Sequence, residues 1–173
     1  MKSTILLSVV LTLFICLNAD AQASMAKKTP KMEELKQADA IAKRFFELLK
    51  KNEIKALSEY IVDGLGSSWD DTKKIQARND YASKFEMIAL RPPKGVYGIF
   101  DGYDMIEQGF LFGSDRYFRN TYIGYFEESV LLFEFRFYVN SKNKVMLNYV
   151  GWSDKNPFEY MSTSDMLLPK YER

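Results

Sequence analysis

The run from Val130 to Val139, VLLFEFRFYV, limits what this chain can fold into more than any other stretch. From Leu132 onward it divides by parity: Phe133, Phe135, Phe137 and Val139 fall on one side, Glu134, Arg136 and Tyr138 on the other. A period of two in aromatic and β-branched residues is a strand with one face in a core. Each Phe ring buries roughly 150–250 Å² when enclosed, so the row demands a covering layer. The opposite face sets a carboxylate and a guanidinium two residues apart in an otherwise apolar strand. Two readings fit that pair: a solvated cross-strand ion-pair row, or the lining of a partly enclosed concavity.

The covering layer is read upstream. Leu35, Ala38, Ile41, Ala42, Phe45, Leu48 and Leu49 recur at three and four residues, predicting a helix over Glu33–Lys51 with an acidic first turn and a lysine-rich last turn that suit the helix dipole. Asn52 breaks it, and a short second helix is expected over Ile54–Ile61, then a loop over Asp63–Ser68. Asp70 or Asp71 caps a third helix over Thr72–Ala89 with Ile75, Ala82 and Phe85 inward, and Pro92-Pro93 stops it. Beyond Lys94 the period becomes two, predicting strands over Val96–Phe100, Tyr103–Phe112, Arg116–Phe126, Leu131–Val139 and Val145–Trp152 joined as an antiparallel meander. Asp101-Gly102-Tyr103-Asp104 reads as a turn, without the ligand series of a calcium loop. Gly109, Gly124 and Gly151 within strands predict bulges and a sheet curved enough to enclose a pocket.

The amino terminus predicts export. Lys2 precedes an apolar run from Ile5 to Leu17, and Ala21-Gln22-Ala23 supplies a small-x-small cleavage pattern, so residues 1–23 read as a signal peptide. The lone Cys16 lies inside it behind Ile15, which does not fit a lipoprotein signal, so the chain from Ser24 on has no thiol or disulfide. Periplasm or extracellular space is the expected location, with no membrane span left after cleavage. Residues 24–32 read as a flexible leader, 33–153 as the domain and 154–173 as a C-terminal extension, whose Phe158, Tyr160, Met166, Leu167 and Leu168 can fold back over an edge of the sheet.

Twenty-four basic and 23 acidic residues leave a net charge of +1, without the clustered basic charge of a nucleic-acid binder. The chain has no histidine, which removes His-based acid, base and metal-ligand chemistry. No metal site or cofactor is expected. Gly64-Leu65-Gly66 follows no strand and lacks a phosphate-binding lysine, so it predicts no nucleotide site.

A Phe-rich helix with a polar break and restart in AKRFFELLKKNEIKALSEYIV (Ala42–Val62), followed by the Phe-rich Leu131–Val139 strand and a last strand ending near Trp152, resembles the NTF2-like superfamily over about Glu33–Trp152. The resemblance implies an α+β fold in which N-terminal helices pack on a curved antiparallel sheet to form a cone. It is similar to small exported bacterial proteins of that superfamily, whose members include isomerases, dehydratases, ligand-binding domains and noncatalytic dimerisation or immunity modules. Enzymes of this fold work from the cone interior with a carboxylate base and a tyrosine donor, or with an Asp-His pair that this chain cannot supply. Here Glu107, Glu134 or Asp104 would be the carboxylate, and Tyr103, Tyr122, Tyr138 or Tyr149 the donor.

Parity also gathers a ligand-binding set: Glu134, Arg136 and Tyr138, with Arg119, Thr121 and Asn148 from neighbouring strands and Trp152 near the rim. The competing reading makes these ion pairs and local packing. The functional expectation is a noncatalytic exported domain that binds a small ligand or a protein partner, with a carboxylate–tyrosine isomerase or dehydratase using Glu107, Glu134 and Tyr138 as the alternative. Tyr117, Tyr122, Tyr125 and Phe126 exceed what one thin helical layer covers, which points to a homodimer through the sheet.

Overall fold

The computed structural model of the protein describes residues 28–111 and 113–156. The predicted signal peptide, residues 24–27 of the leader, Phe112 and the extension from residue 157 on, including Phe158, Tyr160, Met166, Leu167 and Leu168, lie outside the described residues.

Helix α1, Met32–Lys50, starts where the Lys31 backbone N–H donates to Glu34 Oε2 at 2.7 Å, and its predicted stripe is buried at Ala38, Ala42, Phe45, Leu48 and Leu49 and partly buried at Leu35 and Ile41. Asn52 takes a φ of 55°, a left-handed conformation that its short polar side chain tolerates, and this reverses the chain into α2, Ile54–Leu65. Helix α2 runs past the expected end at Ile61 because Val62 is buried and the Gly66 N–H closes the last turn on the Val62 carbonyl. Helix α3, Asp71–Ala89, is capped by Asp70, whose carboxylate accepts the Lys73 N–H at 2.8 Å. It lies on α2 and buries Phe85, Ile88 and Ala89, whereas Ile75, expected inward, is 58% exposed.

Four strands follow in chain order: β1 (Phe100–Phe110), β2 (Tyr117–Phe126), β3 (Val130–Val139) and β4 (Val145–Ser153), each antiparallel to the next. The expected edge strand at 96–100 is absent, and the chain enters the sheet only at Phe100. The expected turn at Asp101–Asp104 is strand instead: a bulge between Phe100 and Gly102 absorbs the irregularity while Gly102, Tyr103 and Asp104 pair with β2.

The fold is α+β with helices on one sheet face, as expected, but it is no cone. The sheet is neither curled nor closed, and β1 and β4 are its two separate edges. The space a cone would leave open is solid. Phe45 of α1 packs edge-on against Phe133 and Phe135 with ring centroids 5.7 and 5.2 Å apart, and Phe46 lies against Phe100, Tyr122 and the same two strand rings. The NTF2-like resemblance therefore fails: a Phe-rich helix and a Phe-rich strand match as a packing pattern that an open sheet uses equally well. The strand glycines serve close approach. A β-carbon at Gly124 would stand 2.7 Å from the Phe133 ring, and one at Gly151 would stand 2.2 Å from the Tyr149 hydroxyl. Tyr122 and Phe126, read as surplus for a dimer face, are buried in the core at 3% and 8% exposure.

Candidate functional site

The sheet face away from the helices gathers most of the predicted ligand-binding set. Register places Thr121 between Glu107 on β1 and Glu134 on β3, Arg119 opposite Arg136, and Arg136 opposite Tyr149. One chain of charge crosses the strands. Arg119 donates to Glu107 Oε2 at 3.0 Å and to Glu134 Oε2 at 3.4 Å, Arg136 Nε donates to Glu134 Oε1 at 2.5 Å, and the Arg136 guanidinium lies 4.5 Å from the centre of the Tyr149 ring. The side chains of Glu107, Glu134 and Arg119 are largely buried. Thr121 is fully buried in this row. A bulge in β4 beside Arg136 and Phe137 turns Asn148 outward, where its Oδ1 accepts the Tyr117 hydroxyl at 3.1 Å.

Other expected members are elsewhere. Trp152 faces the helices, packed 5.4 Å from Phe85 and 6.4 Å from Phe133, so it is no rim to the charged row. Tyr138 is on the charged face but four residues along β3 from Glu134, roughly 13 Å at 3.3 Å per residue. The proposed carboxylate–tyrosine set thus brings Glu107 and Glu134 together on Arg119 and leaves its tyrosine apart. The remaining donors divide between faces: Tyr103 stacks on Phe46 at 4.0 Å on the helix side, while Tyr149 lies across Gly151 on the open side. Asp104 accepts the Tyr125 hydroxyl at 2.9 Å on the surface.

A polar group that sequence reasoning passed over sits under α1. Asn120, fully buried, donates to Asp39 Oδ1 at 3.1 Å and to the Tyr122 hydroxyl at 3.2 Å, and accepts from Gln108 Nε2 at 3.1 Å. Burial lifts the Asp39 carboxyl above its usual range, opposed by the Asn120 hydrogen bond. Burial likewise pushes the Tyr122 hydroxyl well up, again against Asn120. A visible signal existed: Asn120 occupies an inward parity position between Phe118 and Tyr122. The Asn120–Asp39 bond ties α1 to β2.

A concavity with aromatic and aliphatic side chains in its walls lies at the β4 edge. A groove of 520 Å³ runs between Tyr81, Lys84 and Ile88 of α3, the Val96-Tyr97 segment, and Tyr149, Val150, Gly151 and Trp152 of β4. Four consecutive strand residues line it, so the wall is the strand's backbone edge, since one face alone would show only alternate residues. Burial raises the Tyr81 hydroxyl pKa, with nearby Tyr149 adding to the shift. Lys84 lies 5.6 Å over the Tyr81 ring and, among the described residues, has no carboxylate within ion-pair distance. The second wall is fastened firmly. Glu127 accepts both the Arg91 guanidinium and the Ile99 N–H, while the Glu128 N–H donates to the Tyr97 carbonyl at 3.0 Å and the Val96 N–H to the Met87 carbonyl at 2.9 Å. The Arg91 bond, helped by the Ile99 N–H, takes the Glu127 carboxyl down to about 2.

Among the described residues no group of three His, Cys, Asp or Glu side chains is placed to hold a metal ion, and no helix is long and apolar enough to cross a membrane. No known protein family matches the chain, and no curated protein or solved structure matches it either.

Proposed function

We propose that this is an exported, noncatalytic protein-interaction domain that takes an extended polypeptide segment against the free edge of β4. Export rests on the charged, apolar and small-residue pattern of residues 2–23. The observation that carries the interaction reading is the groove wall made by consecutive residues Tyr149–Trp152, facing an α3 stripe of Tyr81, Lys84 and Ile88. An edge strand beside a helix offers unpaired backbone groups for strand addition and side-chain pockets for selectivity. The lining asks for an aromatic or aliphatic side chain, and Lys84 asks for a carboxylate, so the segment that fits is acidic and aromatic. The catalytic alternative has less support, because Glu107 and Glu134 are both engaged by Arg119 and the tyrosine assigned to them is distant.

A displayed library of random short peptides, selected on the chain from Ser24 onward, tests this reading. The expected result is an acidic–aromatic consensus whose affinity falls about tenfold or more, or ~1.4 kcal/mol, in Lys84→Glu and stays unchanged in Asp104→Asn on β1, at the opposite edge of the sheet. Peptides that bind equally well to Lys84→Glu, or a selection that yields no specific binder, would overturn it.

A further inference from the structure

Beyond the groove, we infer that the open face of the sheet carries a second binding site, a small cavity beside Gly151 that takes a neutral polyol of about the size of glycerol. The register builds it. Thr121 on β2, Glu134 on β3 and Gly151 on β4 lie in one row across the strands, with Tyr149 in the row on one side and Leu132 and Ser153 in the row on the other. Gly151 has no side chain to fill the end of its row, and Tyr149 lies across it, its hydroxyl over the place that a β-carbon would take. All of these residues line a cavity of 90 Å³, which at ~30 Å³ per molecule is the room of about three waters.

Thr121 marks this cavity as a site. It is fully buried, and among the described residues its hydroxyl has no hydrogen-bond partner. Valine has nearly the same shape and suits a strand equally well, so a buried hydroxyl without a partner is a cost that packing does not require. The neighbouring groups define what would satisfy it. Glu134, held by Arg119 and Arg136, only accepts hydrogen bonds, whereas the Thr121, Tyr149 and Ser153 hydroxyls both donate and accept. The charge chain beside the cavity sets two carboxylates, Glu107 and Glu134, against two guanidiniums, Arg119 and Arg136, and so sums to zero. An anion would face Glu134 and a cation would compete with both arginines, so a neutral ligand fits. Hydroxyl groups suit every partner, giving a hydrogen to Glu134 and taking one from Thr121, while a short carbon chain lies against Leu132 and the Tyr149 ring.

Chemical-shift titration of the chain from Ser24 onward with glycerol tests this, read on the backbone amides of Thr121, Glu134 and Gly151. We expect saturable shifts with a dissociation constant in the millimolar range, the strength open to so small a ligand. Propanol, with the same carbon chain and a single hydroxyl, should bind at least about tenfold more weakly. In Thr121→Val the affinity for glycerol should fall at least about tenfold while the melting temperature stays level or rises, because the variant loses a hydroxyl that the fold does not use. Thr121→Ser keeps the hydroxyl and should keep most of the affinity. Shifts that grow linearly with glycerol, or saturable shifts that persist in Thr121→Val, would overturn the inference and leave the reading of the groove intact. So would a melting temperature that drops by several degrees in Thr121→Val and recovers in Thr121→Ser, since the hydroxyl would then serve the fold.

Discussion

The two faces of the sheet solve opposite problems with neighbouring residues of the same strands. On the helix side Phe133, Phe135 and Phe137 are fully buried, with Phe45 and Phe46 packed against the first two. On the open side Glu107, Arg119, Glu134 and Arg136 are linked in one chain of ion pairs. The first face is held by apolar burial, which is indifferent to exact partners; the second depends on every charge having its counterpart. Charged residues on an exposed strand face are thus not by themselves a binding site, and the groove at the β4 edge, where Lys84 has no carboxylate partner among the described residues, is the better place to look for one.

The sharpest break of this comparison is Phe133→Ala, which leaves a hole among Phe45, Phe46 and Trp152 and is expected to cost about 3–5 kcal/mol in urea unfolding. A loss below about 1 kcal/mol would show that the helix face is loosely packed. On the other face Arg119→Met strands two largely buried carboxylates and is expected to cost about 3 kcal/mol. Adding Glu107→Gln and Glu134→Gln should recover much of that loss, since the penalty lies in the unpaired charges. Arg136→Ala, at the exposed end of the same chain, should cost no more than about 1 kcal/mol. Equal losses at 119 and 136 would mean that depth in the sheet does not govern the network.

The difference between the faces also governs what could be read in advance. The Phe parity of β3, the α1 stripe and the antiparallel order were legible because each is a local period that burial enforces. The glycines misled, because Gly124 and Gly151 look alike in sequence whether they bend a strand or admit the Phe133 ring and the Tyr149 hydroxyl. Pairing Arg119 with both carboxylates needed the β1–β2 and β2–β3 registers, which a one-residue slip would have reversed. Trp152 was misplaced for a related reason: it pairs with Phe133, on the helix side, whereas Gly151 pairs with Glu134. The groove was illegible altogether, since it joins α3 to a strand far along the chain.

Asp39 gives a smaller and pH-dependent contrast between buried and exposed charge. Burial raises its carboxyl in the folded state, so the protonated form favours folding, and that advantage is lost as pH rises from the ordinary 3.8 through the raised value. Asp39→Asn keeps an acceptor for Asn120 and removes the charge. Its melting temperature relative to the parent should therefore climb across that window and level off above it. A difference that is flat with pH would mean that Asp39 titrates in the fold as it does in the unfolded chain.

Glu127 has the opposite sign and the smallest expected effect on stability, because it is held by an exposed guanidinium as well as by a backbone N–H. Its carboxyl sits near 2 in the fold against an ordinary 4.5, so the stabilisation it provides is complete above 4.5 and is lost as pH falls toward 2. Glu127→Gln should flatten that part of the acid limb, leaving the parent and variant melting curves closest at the acid end. The same bond pins the Val96-Tyr97 wall, because Gly98, at a φ of 80°, brings the backbone against the Glu127 side chain. Loosening the wall should then weaken groove-selected peptides several-fold while the charge network on the open face keeps its stability, measured as an unchanged cost of Arg119→Met in the variant background. If Glu127→Gln instead alters both the Arg119→Met cost and peptide affinity, the groove and the charged face are one coupled unit and the separation drawn between them fails.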